Sequence, residues 1–134
     1  MHRLFAAAAF AAGVGAAGAE QPRDFETAFS TAAQQEEPGF QGFDAGRGRE
    51  FFNTTHGGDW SCSSCHTDNP AAAGKHAVTG KTIQPMAPAA NAERFTKAAK
   101  VEKWFTRNCR DVVKRVCTAR EKGDVIAYLL SVKP

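Results

Sequence analysis

The sequence predicts an all-α domain, and three observations carry that prediction. Apolar residues recur at spacings of three and four, as in Val125, Tyr128, Leu129 and Val132. No stretch shows the strict alternation of a half-buried strand. Glycine and proline gather between the periodic segments, at Pro38-Gly39, at Gly57-Gly58 and from Pro70 to Pro88.

The start of the 134-residue chain reads as an export signal. His2 and Arg3 form a short cationic head, an alanine-rich apolar run follows, and Ala17-Gly18-Ala19 offers the small residues a signal peptidase requires. The expected division is a signal peptide over residues 1–19 and one domain over 20–134. The run is broken by Gly13 and Gly15 and is too short to span a bilayer. No other apolar run could do so, which places the mature chain in the periplasm with no transmembrane segment.

Five elements follow in order. A first, extra N-terminal helix is expected over 24–37, with Phe25 and Phe29 one turn apart and Pro38-Gly39 ending it. A second covers 44–53 and turns Gly48, Phe51 and Phe52 inward. Residues 68–88 read as a loop, and a structureless segment of that length in a small domain is usually functional. Asn91 caps a turn over 92–95, and a longer helix follows over 97–113. Thr118 and Glu121 form a capping box, in which each side chain satisfies a backbone N–H at the other residue, so the last helix spans 119–132.

Between the second helix and the loop stands Cys62-Ser63-Ser64-Cys65-His66. Two thiols three residues apart can each add to a vinyl group of one porphyrin, and the next residue brings an imidazole to the iron. Zinc would need a second ligand pair of similar spacing, whereas the remaining cysteines, Cys109 and Cys117, stand eight apart. A redox dithiol would give His66 no reason to follow. The motif predicts one covalent haem c, attached through Cys62 and Cys65, with His66 as the proximal ligand. In an oxidising compartment Cys109 and Cys117 can form a disulfide, and two free thiols are the alternative.

The other side of the iron is less determined. On a helical wheel of 97–113, Asn108 falls on the apolar face with Val101, Trp104, Phe105 and Val112. Burying an amide without a partner costs a few kcal/mol, so something should bond it. Either a backbone carbonyl or a haem propionate does so, or Asn108 is a weak neutral ligand of ferric iron. Met86 competes for that role, since a thioether opposite histidine is the usual electron-transfer arrangement. His56 and His76 are further nitrogen donors.

Charge is unevenly spread. Residues 20–50 carry seven acids and three bases, and residues 94–122 ten bases and three acids. Such polarity can steer an acidic redox partner to the basic side, or can simply be a set of solvated helical faces. Nucleic acid is not an expected partner of an exported haem protein.

Across residues 45–130 the chain resembles the SHP-type cytochromes, high-spin class I cytochromes c that bind small ligands at the haem. The resemblance is densest in Thr79-Gly80-Lys81, Ala87-Pro88, Arg94-Phe95-Thr96, Val101-Glu102-Lys103-Trp104, Arg107-Asn108-Cys109, Cys117-Thr118 and Glu121-Lys122. It implies the class I cytochrome c fold, helices packed around one covalent haem. It also implies that Asn108 is the sixth ligand of ferric iron and leaves on reduction, and that Cys109 pairs with Cys117. Where Met86 stands, leucine is usual in the family, so Met86 is expected to pack rather than ligate. Gly48 with Phe52, and Tyr128 in the last helix, look like the contact between terminal helices common to cytochromes c.

The function so implied is haem binding and electron transfer in the periplasm, with a ferrous iron open to O2, NO or CO. A multihaem or membrane-associated cytochrome would be the redox partner, and oxygen, peroxide or nitric oxide chemistry is the activity such a site would support. The alternative is a plain shuttle with His66 and Met86 as permanent ligands.

Overall fold

The computed structural model describes residues 18–134. Apart from its last two residues, the export signal expected over 1–19 lies outside the described residues.

Helix α1 spans Pro22–Glu36. It begins two residues before Asp24, because Pro22 fills the first turn, where its missing N–H costs nothing. The Asp24 carboxylate accepts the Gln21 N–H at 2.7 Å. Phe25, Phe29 and Ala33, four apart, form its buried stripe. Helix α2, Ala45–Asn53, is capped by the Asp44 carboxylate, which accepts the Arg47 N–H at 2.7 Å.

The single turn α3, Ser63–His66, carries the cysteine motif. The segment 68–88, expected to be loop, contains a minimal antiparallel ladder of β1, Gly74–Lys75, and β2, Thr82–Ile83, with Gly74 opposite Ile83 and Lys75 opposite Thr82. Two residues per strand are too few to leave a period-two pattern in sequence. The His76 ring shapes the connecting turn, its Nδ1 accepting the Val78 and Thr79 N–H groups at 3.2 and 3.1 Å.

Helix α4 covers Ala98–Asn108 and then changes register: Cys109–Val113 is a π-helical turn, closed by Lys114 in the left-handed region at φ 65°. A single α-helix through 113 was the expectation. The wider turn buries both Cys109 and Val113 and sets Cys109 within a Cα separation of 5.8 Å from Cys117, to which it is disulfide-bonded. Periodicity alone does not distinguish one π turn from an α turn.

Helix α5, Ala119–Ser131, opens on the capping box read from sequence, with Thr118 N–H to the Glu121 carboxylate at 2.9 Å and Glu121 N–H to the Thr118 hydroxyl at 3.2 Å. It is the centre of the molecule, packed by α1 and α2, and its Ile126 and Leu129 are fully buried. The α2–α5 crossing is a backbone contact, since a Cβ on Gly48 would overlap the Asp124 carbonyl. Beside it the buried Asp124 carboxylate takes Arg47 Nε at 2.8 Å, Arg47 Nη2 at 2.9 Å and the Asp44 N–H at 2.7 Å. Three apolar clusters make up the core, and Phe105 of α4 packs against all of them.

Candidate haem-attachment site

Cys62 and Cys65 are both free thiols and half-buried on one turn. Cys62 packs against the wall formed by Phe52, Val125, Tyr128 and Leu129, and burial pushes its thiol up to about 11. Cys65 Sγ accepts the Ala77 N–H at 3.3 Å, which ties the hairpin to the motif. At Gly74 a Cβ would overlap the Cys65 carbonyl, so the hairpin lies directly on this turn.

His66 sits with its ring centroid 6.1 Å from that of Phe52. Burial and the positive charge of Arg94 bring its imidazole down to about 4. It is therefore neutral at pH 7, with a ring nitrogen available to a metal.

The stretch carrying Met86 is pinned from three sides. Met86 and Ala87 donate their N–H groups to the Pro70 carbonyl at 2.9 and 3.0 Å. Arg94 donates from Nε to the Pro85 carbonyl at 2.9 Å and from Nη2 to the Gln84 carbonyl at 2.7 Å. Asn91 Nδ2 reaches the Pro85 carbonyl at 3.3 Å. Met86 packs against the same apolar cluster as Cys62.

Asn108 ends α4, half-buried, and its side chain makes no cap hydrogen bond to the π turn that follows. Its neighbours on the predicted face divide. Val101 is buried and Phe105 half-buried, whereas Trp104 is 41% exposed with the Arg107 guanidinium 5.5 Å over its ring. His56 and His76 each commit a ring nitrogen to local backbone, His56 Nε2 lying 2.8 Å from the Phe51 carbonyl.

This donor set fits haem c: two free thiols on one turn against an apolar wall, followed by a neutral imidazole. It does not fit zinc, since among the described residues no group of three or more His, Cys, Asp or Glu side chains is placed to hold a metal ion. Among them, too, no helix is long and apolar enough to cross a membrane.

Two features escaped sequence reasoning. Arg94 entered only within the resemblance motif Arg94-Phe95-Thr96, and its carbonyl contacts and burial are what single it out. The Arg47–Asp124 pair joins residues 77 apart, and nothing local in the chain announces it.

Comparison with known proteins supplies the family. Residues 38–129 match the family described as "Domain of unknown function (DUF1924)". The cytochrome c-type protein SHP of Cereibacter sphaeroides is 39% identical over 133 residues, covering 96% of this chain and 98% of that protein. Cytochrome c'' of Methylophilus methylotrophus is 49% identical over 88 residues, which is 63% of this chain and 61% of that relative. The structure of oxidized SHP, described as an oxygen-binding cytochrome c, superposes with a TM-score of 0.74 at 40% identity, covering 84% of this chain and 97% of that one. The solution structure of cytochrome c'', described as giving insights into haem-ligand detachment, does so with a TM-score of 0.74 at 38% identity over 84% and 94%.

Proposed function

The chain belongs to the DUF1924 family and, like its relatives SHP and cytochrome c'', is a haem c cytochrome; on that premise we propose that it works in the periplasm, as a monohaem protein whose distal side opens on reduction. Cys62 and Cys65 form the two thioether links and His66 is the proximal ligand. When bound, the haem supplies a one-electron iron couple and, in the ferrous state with one side open, a site for O2, NO or CO.

The observation that carries the opening is Asn108, a half-buried amide without a cap hydrogen bond at the end of α4. An amide covered by a bound haem would need a partner, since burying it unpaired costs a few kcal/mol, and ferric iron would supply one. A neutral amide oxygen is a hard, weak donor, so reduction to the softer ferrous ion favours its departure. The disulfide at the very next residue, Cys109, limits how far Asn108 can swing. Residues 20–134 form the mature domain, residues 1–19 the export signal. Electrons arrive from a multihaem or membrane-associated cytochrome, with the exposed Lys97, Lys100, Lys103 and Arg107 as the contact.

One observation favours a second reading, the closed shuttle: Met86 is held rigidly beside the Cys62 wall, as a permanent ligand would need to be. Optical spectra separate the two. With an open site, Asn108→Ala changes the ferric spectrum, Met86→Leu leaves it unchanged, and the ferrous protein binds carbon monoxide. A ferrous protein that stays low-spin and refuses carbon monoxide would overturn the proposal.

A further inference from the structure

Arg94 lies in the turn over 92–95, half-buried between the Met86 stretch and the start of α4. A guanidinium has five N–H donors. Here Nε and Nη2 bond to the Pro85 and Gln84 carbonyls, neutral acceptors that leave the cation unbalanced. None of the ion pairs among the described residues involves Arg94. Desolvation makes the proton on this guanidinium easier to lose, and no carboxylate pulls in the other direction. The charge is close enough to be felt by His66.

Charges taken out of water are paired in stable proteins, because an isolated one carries a penalty of several kcal/mol. Among the described residues Arg47, Arg107, Arg110, Arg115, Arg120 and Lys122 each have an acid within 3.8 Å. Arg94 instead bonds the stretch that carries Met86 and lies near enough to His66 for its charge to act there. We propose that Arg94 is the anion-binding residue of the haem site, its unused guanidinium edge taking a carboxylate of the cofactor, a haem propionate. Planarity suits the role, since the fork of an arginine meets a carboxylate with two parallel hydrogen bonds and a lysine does not. The same side chain then joins three partners, the propionate and the carbonyls of Gln84 and Pro85. The haem is thereby tied to the stretch that carries Met86.

The inference rests on covalent attachment through Cys62, Cys65 and His66. Arg94→Gln and Arg94→Lys, both as holoproteins, test it through the reduction potential. With the guanidinium gone, an unpaired carboxylate near the iron favours the ferric state. In Arg94→Gln the ferrous-to-ferric ratio at a fixed applied potential should therefore fall about tenfold, a shift of about 59 mV for one electron. Arg94→Lys, which keeps the charge, should stay within about threefold of wild type by the same relation. A wild-type potential in a fully haem-loaded Arg94→Gln protein overturns the proposal. Should Arg94→Gln not mature, resonance Raman spectra of Arg94→Lys decide: a displaced propionate-bending band supports the contact, and an unchanged one overturns it. If the wild-type protein itself carries no covalent haem, the attachment reading has failed, an outcome distinct from either of these.

Discussion

Replacing Gly48 by alanine tests the crossing on which the fold is built. A Cβ at that position falls within the Asp124 carbonyl group and 3.0 Å from the Tyr128 Cβ. The obstacle is main chain in the middle of α5, which no rotamer change can move aside. Overpacking of a core costs about 1 to 3 kcal/mol, and a rigid neighbour puts this case near the upper end. Alanine recovers about 1 kcal/mol through its helix propensity, which leaves a net loss of about 2 kcal/mol. For a domain of this size that corresponds to a fall of roughly 8 °C in the unfolding midpoint. Circular dichroism of the ferric holoprotein, followed in denaturant and on heating, gives both quantities. Gly46→Ala is the control, because its Cβ would meet no backbone of another element, only the capping Asp44 side-chain oxygen at 3.0 Å. It should change stability by less than about 1 kcal/mol, the size of the propensity term itself. A Gly48→Ala protein as stable as wild type would refute the argument that these helices touch through backbone.

The disulfide and one carboxylate allow two more predictions. Closing a loop across eight residues, as Cys109–Cys117 does, is worth about 2.5 kcal/mol in the chain-entropy estimate. The double variant Cys109→Ser/Cys117→Ser should lose about that much in denaturant titration of the ferric protein. Glu121 is raised by burial but lowered by more through the Arg115 and Thr118 hydrogen bonds and the Arg115 and His56 charges, so its carboxyl lies below the ordinary 4.5. A depressed acid contributes stability above its unfolded-state value and loses it as pH falls through the folded one. Wild type should therefore exceed Glu121→Gln at neutral pH, with the difference shrinking progressively below pH 4.5; a constant difference down to pH 2.5 would contradict this.

What could be read from the chain followed local chemistry. The capping box at Thr118 is a dialogue between residues three apart, and it stands in the structure as read. The amphipathic stripes of α1 and α5 were legible for the same reason, whereas Gly48 at the α2–α5 crossing came from the resemblance to cytochromes c. The resemblance to SHP-type cytochromes, carried by motifs such as Arg107-Asn108-Cys109, agrees with the family found by comparison. What stayed hidden depended on distance or on hydrogen-bond register. Asp124 carries no local signal, yet it is buried, with Arg47 and the Asp44 N–H reaching it from the start of α2. The π turn after Asn108 uses residues that an α-helix would accept equally. Trp104 was placed on the buried face by its spacing, but at 41% exposure it lies at the edge of that face, against Arg107.

Two of the helix starts are finished by the far end of the chain. The first N–H of α5, at Ala119, is bonded by Glu36 from 83 residues away, and that of α4, at Ala98, by Glu20 from 78 residues away. Helix α1 is synthesised before either of these two helices. The Glu20 and Glu36 carboxylates have no such N–H to bond until those segments fold, and contacts across so many residues are of the kind that slow folding. Under the attachment proposed above, the Cys62–His66 turn would be open to an incoming haem while those contacts are still unformed.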